Sequence, residues 1–276
     1  MDTAATGTQF ALDEALDAHI AGAARSLRSA RRVVALTGAG LSTESGIPPF
    51  RGPGGLWTRY GEPPMDGFQR FLDDPKAAWQ QRLSPDQPWL VALLDTLAQA
   101  VPNAGHQALA ELERLGRCAC VITQNIDDLH RQAGTRSLLE IHGNHRLVRC
   151  LQCVTRFEPD QVQIDPDSLP PQCPRCGGLL KGDTVQFGEP IPPDVLRRCY
   201  EEVGSADCML VAGTSATVYP AAEFPFEILR RGGSVIEVNP EDTELTPLAT
   251  HSLRGPGGAV LERLLAHVEA GAERSA

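Results

Sequence analysis

The chain has 276 residues, 42% of them apolar, and a formal net charge of −10. That length suits one large domain or a domain carrying a smaller insert, with enough apolar residues for a sizeable core. The negative balance argues against gripping nucleic acid by phosphate neutralisation and suits basic, lysine-containing partners better, and no apolar run is long enough to span a bilayer.

In chain order, Met1 to Phe10 lacks the basic and apolar stretches of a secretory signal, so a cytoplasmic protein with reduced thiols is expected. Leu12, Leu16, Ile20, Ala23, Ala24 and Leu27 recur at helical spacing, and Arg28, Arg31 and Arg32 gather near the end of that segment. Val33-Val34-Ala35-Leu36 then reads as a buried strand running into Thr37-Gly38-Ala39-Gly40. The same grammar returns at Cys118–Ile122 before Thr123-Gln124-Asn125, at Cys208–Ala212 before Gly213-Thr214-Ser215, and at Ser234–Val238 before Asn239-Pro240. Helical patterns lie between these runs, at Asn103–Leu115, Ala221–Arg230 and Ala259–Val268. Strands apolar on both faces and alternating with helices predict an α/β fold, a Rossmann-like doubly wound parallel sheet. Ligands of such sheets bind beyond the carboxyl ends of the strands, where the four polar clusters fall.

Two stretches break the pattern. Residues 52–102 are rich in Pro and Gly, carry all three tryptophans, and read as a loop followed by a helical insert. Residues 146–181 hold Cys150-x-x-Cys153 and, after nineteen intervening residues, Cys173-x-x-Cys176. Two such pairs can close a tetrahedral four-thiolate Zn2+ site, structural because no coordination position is left open; chance pairs or a redox pair are the alternative. Cys118, Cys120, Cys199 and Cys208 fall in or beside core elements and read as inert thiols. The expected division is a discontinuous Rossmann-like domain over 1–51, 103–145 and 182–276, a loop with helical insert over 52–102, and the four-cysteine zinc module over 146–181.

Gly38-Ala39-Gly40 after a strand permits close approach of backbone N–H groups to a phosphate, but a plain tight turn explains it as well. Its continuation carries Phe50 and Arg51 on a Gly/Pro-bounded segment, which suits a lid over a ligand. Thr123 to His130 places amides and carboxylates at a strand end, where a polar helix cap is the ordinary use. His142 gains weight over a purely structural histidine because it precedes the cysteine module at the seam between domains.

Taken together, Gly38–Ser42 through Gly46-Ile47-Pro48, Phe50-Arg51, Thr123–Asp127 with Leu129-His130, and His142-Gly143 closely resemble the signature motifs of sirtuins. So do the two cysteine pairs, Val185–Glu189, Gly213-Thr214-Ser215 and Asn239, all in the family's order over about Leu27 to Leu265. The resemblance implies an NAD-dependent protein-lysine deacylase, most simply a deacetylase, with NAD consumed as co-substrate and one structural Zn2+. The acyl oxygen of an acyl-lysine would attack the ribose carbon bearing nicotinamide. His142 would act as general base on a ribose hydroxyl, and the products would be free lysine, nicotinamide and O-acyl-ADP-ribose.

Carried over by position, Asn125, Ile126 and Asp127 would hold the nicotinamide and ribose end, and Gln124 the ribose. Phe50 would shield the sugar face, with Arg51 on the same loop. Gly38, Ala39, Gly40, Gly213, Thr214 and Ser215 would line the phosphates, and Asn239 the adenosine ribose. Val185, Phe187 and Gly188 would form the acyl-lysine tunnel. The chain departs from the family at Pro49, where many relatives carry Asp, Thr or Ala, and at Gly182, where a proline is common. It lacks the Tyr-x-x-Arg pair that marks succinyl- and malonyl-selective relatives, reading Ala78–Leu83 instead, although Tyr219–Ala222 and Arg254–Gly258 look like that branch. Mono-ADP-ribosyl transfer, preference for a longer acyl group, a non-catalytic NAD sensor and an NAD-linked dehydrogenase remain the alternatives.

Overall fold

The computed structural model describes residues 3–50, 52 and 54–273, with side chains of those within 14–272. Arg51 and the side chain of Leu12 lie outside the described residues. Helix α1 (Thr3–Ser29) leads into strand β1 (Val33–Thr37), and a 3-10 segment Ala39–Ser45 follows. The insert holds α2 (Leu56–Tyr60), α3 (Gly67–Asp73), α4 (Pro75–Leu83) and α5 (Pro88–Gln99). The chain returns through α6 (Ala104–Arg114), β2 (Cys120–Thr123), α7 (Leu129–Gln132) and β3 (Leu138–Glu140). The cysteine region contributes β4 (Val148–Cys150), β5 (Arg156–Phe157) and β6 (Leu180–Gly182). Helix α8 (Pro193–Ser205), β7 (Cys208–Ala212), α9 (Glu223–Arg230), β8 (Ser234–Asn239), β9 (His251–Arg254) and α10 (Gly257–Glu273) complete the fold.

The large sheet has six parallel strands in the order β3-β2-β1-β7-β8-β9. Every residue of β1, β2 and β7 is buried, as expected for runs without alternation. One face packs against α1, α6 and α10 through Ile20, Leu27, Leu109, Leu112 and Leu261; the other packs against α8 and α9 through Val203, Phe224 and Ile228. From β1 the chain proceeds to β2 and β3 on one side, then crosses to β7 on the other. That reversal opens a crevice at the carboxyl ends of β1 and β7, the usual ligand position in such sheets.

The second layer of structure is smaller. Strands β4, β5 and β6 form an antiparallel three-stranded sheet. The insert packs on it: Phe71 and Trp79 share a core cluster with Val148 and Leu180, and Trp79 Nε1 donates to the Leu180 carbonyl at 2.8 Å. Burying an indole with its N–H satisfied is what makes Trp79 a suitable anchor.

Beneath the crevice lies a fully buried histidine pair. His106 and His130 stand edge to face with centroids 4.8 Å apart, and neither His106 Nε2 nor His130 Nδ1 has a hydrogen-bond partner among the described residues. Burial pushes His106 down to about 4, partly opposed by the Asp127 carboxylate, and burial followed by repulsion from His106 pushes His130 well below its ordinary value. The folded state therefore refuses protons that the unfolded chain accepts. This contribution is complete above pH 6.5 and is lost as pH falls toward 4. Chemical denaturation should show stability falling by about 2 kcal/mol between pH 6.5 and 5, above the range of carboxylate titration. A flat profile in that window, or the same slope in His106→Asn, counts against it.

Candidate active site

The crevice is floored by glycine backbone. Gly40 N donates to the Gly213 carbonyl at 2.8 Å, and Gly38 N donates to the Ala212 carbonyl at 3.1 Å. Gly213 has φ 63°, and a Cβ there would lie 2.1 Å from the Leu41 nitrogen, so no other residue fits. A Cβ on Gly38 would meet the Thr214 side chain at 2.7 Å. The two strand ends thus close on each other, and the 3-10 segment begins at Ala39. Thr214 is buried and Ser215 is exposed beside Thr217, with hydroxyls 2.9 Å apart. Asn239 Nδ2 donates to the Thr214 carbonyl at 3.0 Å, fixing that turn from β8.

The polar cluster after β2 packs against this floor. Asn125 is buried, and its Nδ2 donates to the Gly38 carbonyl at 3.1 Å and to Ser42 Oγ at 3.0 Å. Ser42 Oγ donates in turn to Asp127 at 2.6 Å. Gln124 Nε2 donates to Thr214 Oγ1 at 3.0 Å, spanning from β2 to the β7 turn. Ile126 offers its carbonyl to the His145 amide at 2.9 Å and to His145 Nδ1 at 2.7 Å.

His142 follows β3 and faces the same edge. Its Nδ1 lies 3.1 Å from the Gln124 carbonyl, which can only accept, so Nδ1 carries the proton and Nε2 keeps its lone pair. Burial holds the imidazole below its ordinary 6.5, opposed by the Gln124 hydrogen bond. A neutral, half-buried base at a crevice rim is what general base catalysis needs. The His142 carbonyl also accepts from Val185 N at 2.8 Å, tying the Val185–Gly188 segment to the same loop.

The chain as a whole matches a known group. The sequence description of the Sir2 family fits residues 38–220. The chain is 47% identical over 244 residues to "NAD-dependent protein deacylase 1" of Archaeoglobus fulgidus, covering 88% of this chain and 96% of that protein. The chain belongs to the Sir2 family. A solved Sir2 homologue–NAD complex superimposes with a TM-score of 0.74 at 45% identity, covering 91% of this chain and 94% of that one. A Sir2–p53 peptide–NAD+ structure gives 0.70 at 35%, covering 90% and 97%.

In this Sir2 chain the four cysteines converge. Their sulfurs all lie within 4.8 Å of one another, with Cys150–Cys176 at 3.6 Å and Cys153–Cys173 at 3.8 Å. Tetrahedral Zn–S bonds of about 2.3 Å require sulfurs about 3.8 Å apart, so the donor set fits zinc. The Gln152 and Cys153 amides both point at Cys150 Sγ at 3.4 Å. The remaining thiols are buried, and burial pushes Cys118 and Cys199 up to about 12 and Cys120 up to about 11, so they stay protonated.

Phe50 is exposed, with its ring 5.2 Å from Trp57, whose ring lies 5.7 Å from Phe187. Trp57 thus joins the loop aromatic to the Val185–Gly188 segment. It escaped the sequence reading, although a tryptophan on a Gly/Pro-bounded loop was a signal. Gly188 has φ 81° and approaches the Met65 carbonyl, placing α3 against this segment. Ser42 was visible only as part of a motif; its bridging of Asn125 and Asp127 needed coordinates. At Gly182 the Arg82 side chain lies close, its Nη1 2.6 Å from where a Cβ would sit, and Arg82 Nη2 donates to the His145 carbonyl at 3.0 Å.

Proposed function

We propose that this protein is an NAD-dependent protein-lysine deacylase, most simply a deacetylase, using NAD as co-substrate and one structural Zn2+ held by Cys150, Cys153, Cys173 and Cys176. The observation that carries the reading is His142, a neutral imidazole with its free nitrogen at the crevice edge where Asn125, Ser42 and Asp127 interlock. Gly38, Ala39, Gly40, Gly213, Thr214 and Ser215 would take the phosphates and Asn239 the adenosine ribose. Gln124, Asn125, Ile126 and Asp127 would orient the ribose and nicotinamide end, and Phe50 with Arg51 would cover it. Val185, Phe187 and Gly188 would pass the acyl-lysine side chain. In this scheme the acyl oxygen displaces nicotinamide from the ribose carbon, and His142 accepts a proton from the ribose hydroxyl that then takes up the acyl carbon. Water completes the release of free lysine and O-acyl-ADP-ribose. The domain division at 51/52, 102/103, 145/146 and 181/182 and a cytoplasmic location belong to the same proposal. A four-thiolate site needs reduced cysteines, and no helix among the described residues is long and apolar enough to cross a membrane.

Incubation with NAD and a panel of acyl-lysine peptides, read by mass spectrometry, tests the reading. Release of acylated ADP-ribose with free lysine supports deacylation, and mass gain on the peptide or protein identifies ADP-ribosyl transfer instead. The His142 geometry also sets a pH dependence. Because burial lowers its pKa, the base form is complete at neutral pH and is lost only as pH falls below 6.5. The acid limb of kcat/KM for NAD should therefore lie below pH 6.5; a limb at 7 or above contradicts the assignment.

A further inference from the structure

Between the cysteine module and the His142 loop lies a charged junction that the proposed chemistry does not use. Arg156 on β5 donates from Nε to Asp183 Oδ1 at 3.0 Å and from Nη1 to Glu140 Oε2 at 3.1 Å, with Nη2 2.9 Å from Asp183 Oδ2. Both carboxylates are buried, where an unpaired charge is costly. The same two carboxylates cradle Asn144. Its amide N donates to Asp183 Oδ2 at 2.9 Å, and its Nδ2 donates to Glu140 Oε1 at 2.7 Å. Asn144 is fully buried and stands two residues after His142. Between them Gly143 has φ 78°, and a Cβ there would lie 2.0 Å from the Asp183 carbonyl oxygen, so the loop rests directly on the Asp183 backbone.

We propose that Arg156 is a positioning residue for the His142 loop, the point through which the cysteine module fixes catalytic geometry. One planar guanidinium bridges two carboxylates at a fixed separation, a task its fork suits and an ammonium cannot copy. The neighbouring Arg149, paired with Arg156 across β4 and β5, also lies 3.4 Å from Asp183 Oδ1 through its Nε and contacts Glu189. Asp183 therefore meets two module arginines while it holds the loop. This inference rests on His142 being the base. Its side chain is about a quarter exposed, so Arg156 sits at the rim of the junction and can be changed without opening the core.

The test compares Arg156→Met and Arg156→Lys with the unaltered protein in zinc content, thermal unfolding, amide hydrogen exchange over residues 141–147, and steady-state deacylation. Arg156→Met is expected to keep one zinc, lose roughly 10- to 100-fold in kcat, hold KM for NAD within about twofold, and exchange faster at Asn144. Arg156→Lys, able to hold one carboxylate at a time, should fall between the two. An unchanged kcat in zinc-loaded Arg156→Met, or a lower kcat without faster exchange at Asn144, overturns the role. If Arg156→Met does not fold, Arg156→Lys decides alone, and full kcat in that variant overturns it. His142→Ala runs in the same assay. Full activity there sinks the base assignment itself, whereas an inactive His142→Ala beside an active Arg156→Met removes only the positioning role.

Discussion

His142→Ala is expected to lower NAD-dependent deacylation by roughly 10²- to 10⁴-fold, the span that a positioned general base contributes. The imidazole makes one hydrogen bond, from Nδ1 to the Gln124 carbonyl, and its backbone contacts to Val185 survive truncation. The lost bond is worth about 1 kcal/mol, so the variant should fold, retain zinc and melt within a few degrees of the parent. NAD affinity should persist as well, because the glycine floor and the Asn125–Ser42–Asp127 chain do not depend on the imidazole. Equilibrium binding of NAD alongside single-turnover deacylation separates the two effects. Full deacylation by His142→Ala overturns the assignment; loss of NAD binding in step with activity assigns His142 to binding.

How much of this was legible beforehand depends on how local each cause is. Strands β1 and β7 were visible because residues buried on both faces leave an apolar run without alternation, and β8 because Val235, Ile236 and Val238 outweigh the buried Glu237 between them. The run at Cys118 was read two residues early. Cys118 and Arg117 donate their amides to the Leu112 carbonyl, so they finish the turn after α6 before β2 begins. Strands β3 and β9 were missed: β3 is three residues ending in a buried glutamate, and β9 is an edge strand with only Leu253 buried. Helix α8 was missed too, since only Cys199 and Val203 of its thirteen residues are buried, leaving a faint period. The paired cysteines and glycine turns announce themselves because metal and phosphate sites need fixed spacings. Arg156, Asp183 and Asn144 do not. Arg156 stands 16 and 27 residues from Glu140 and Asp183, and Asn144 stands 39 from Asp183; contacts across such separations leave no local period.

The cysteine module supplies the second large effect. Cys173→Ser should release the zinc and unfold the three-stranded sheet, lowering the module's stability by more than about 3 kcal/mol. Strands of three, two and three residues are too short to persist alone, and two of the seven buried members of their core, Cys150 and Cys173, are themselves ligands. The contribution of a structural Zn2+ is of order 10 kcal/mol and falls on this small core, so losing one thiolate removes most of what holds it. The six-stranded sheet has its own two cores and should remain. Unfolding should therefore lose its single cooperative step: in the metal-free variant the module, protection at Asn144 and deacylation are lost ahead of the large sheet, because Arg156 leaves Asp183 and Glu140 when β5 melts. Metal content, calorimetry and hydrogen exchange on purified Cys173→Ser measure this directly. A metal-free variant that melts as a single transition at the parent temperature refutes both the structural role of zinc and its link to the His142 loop.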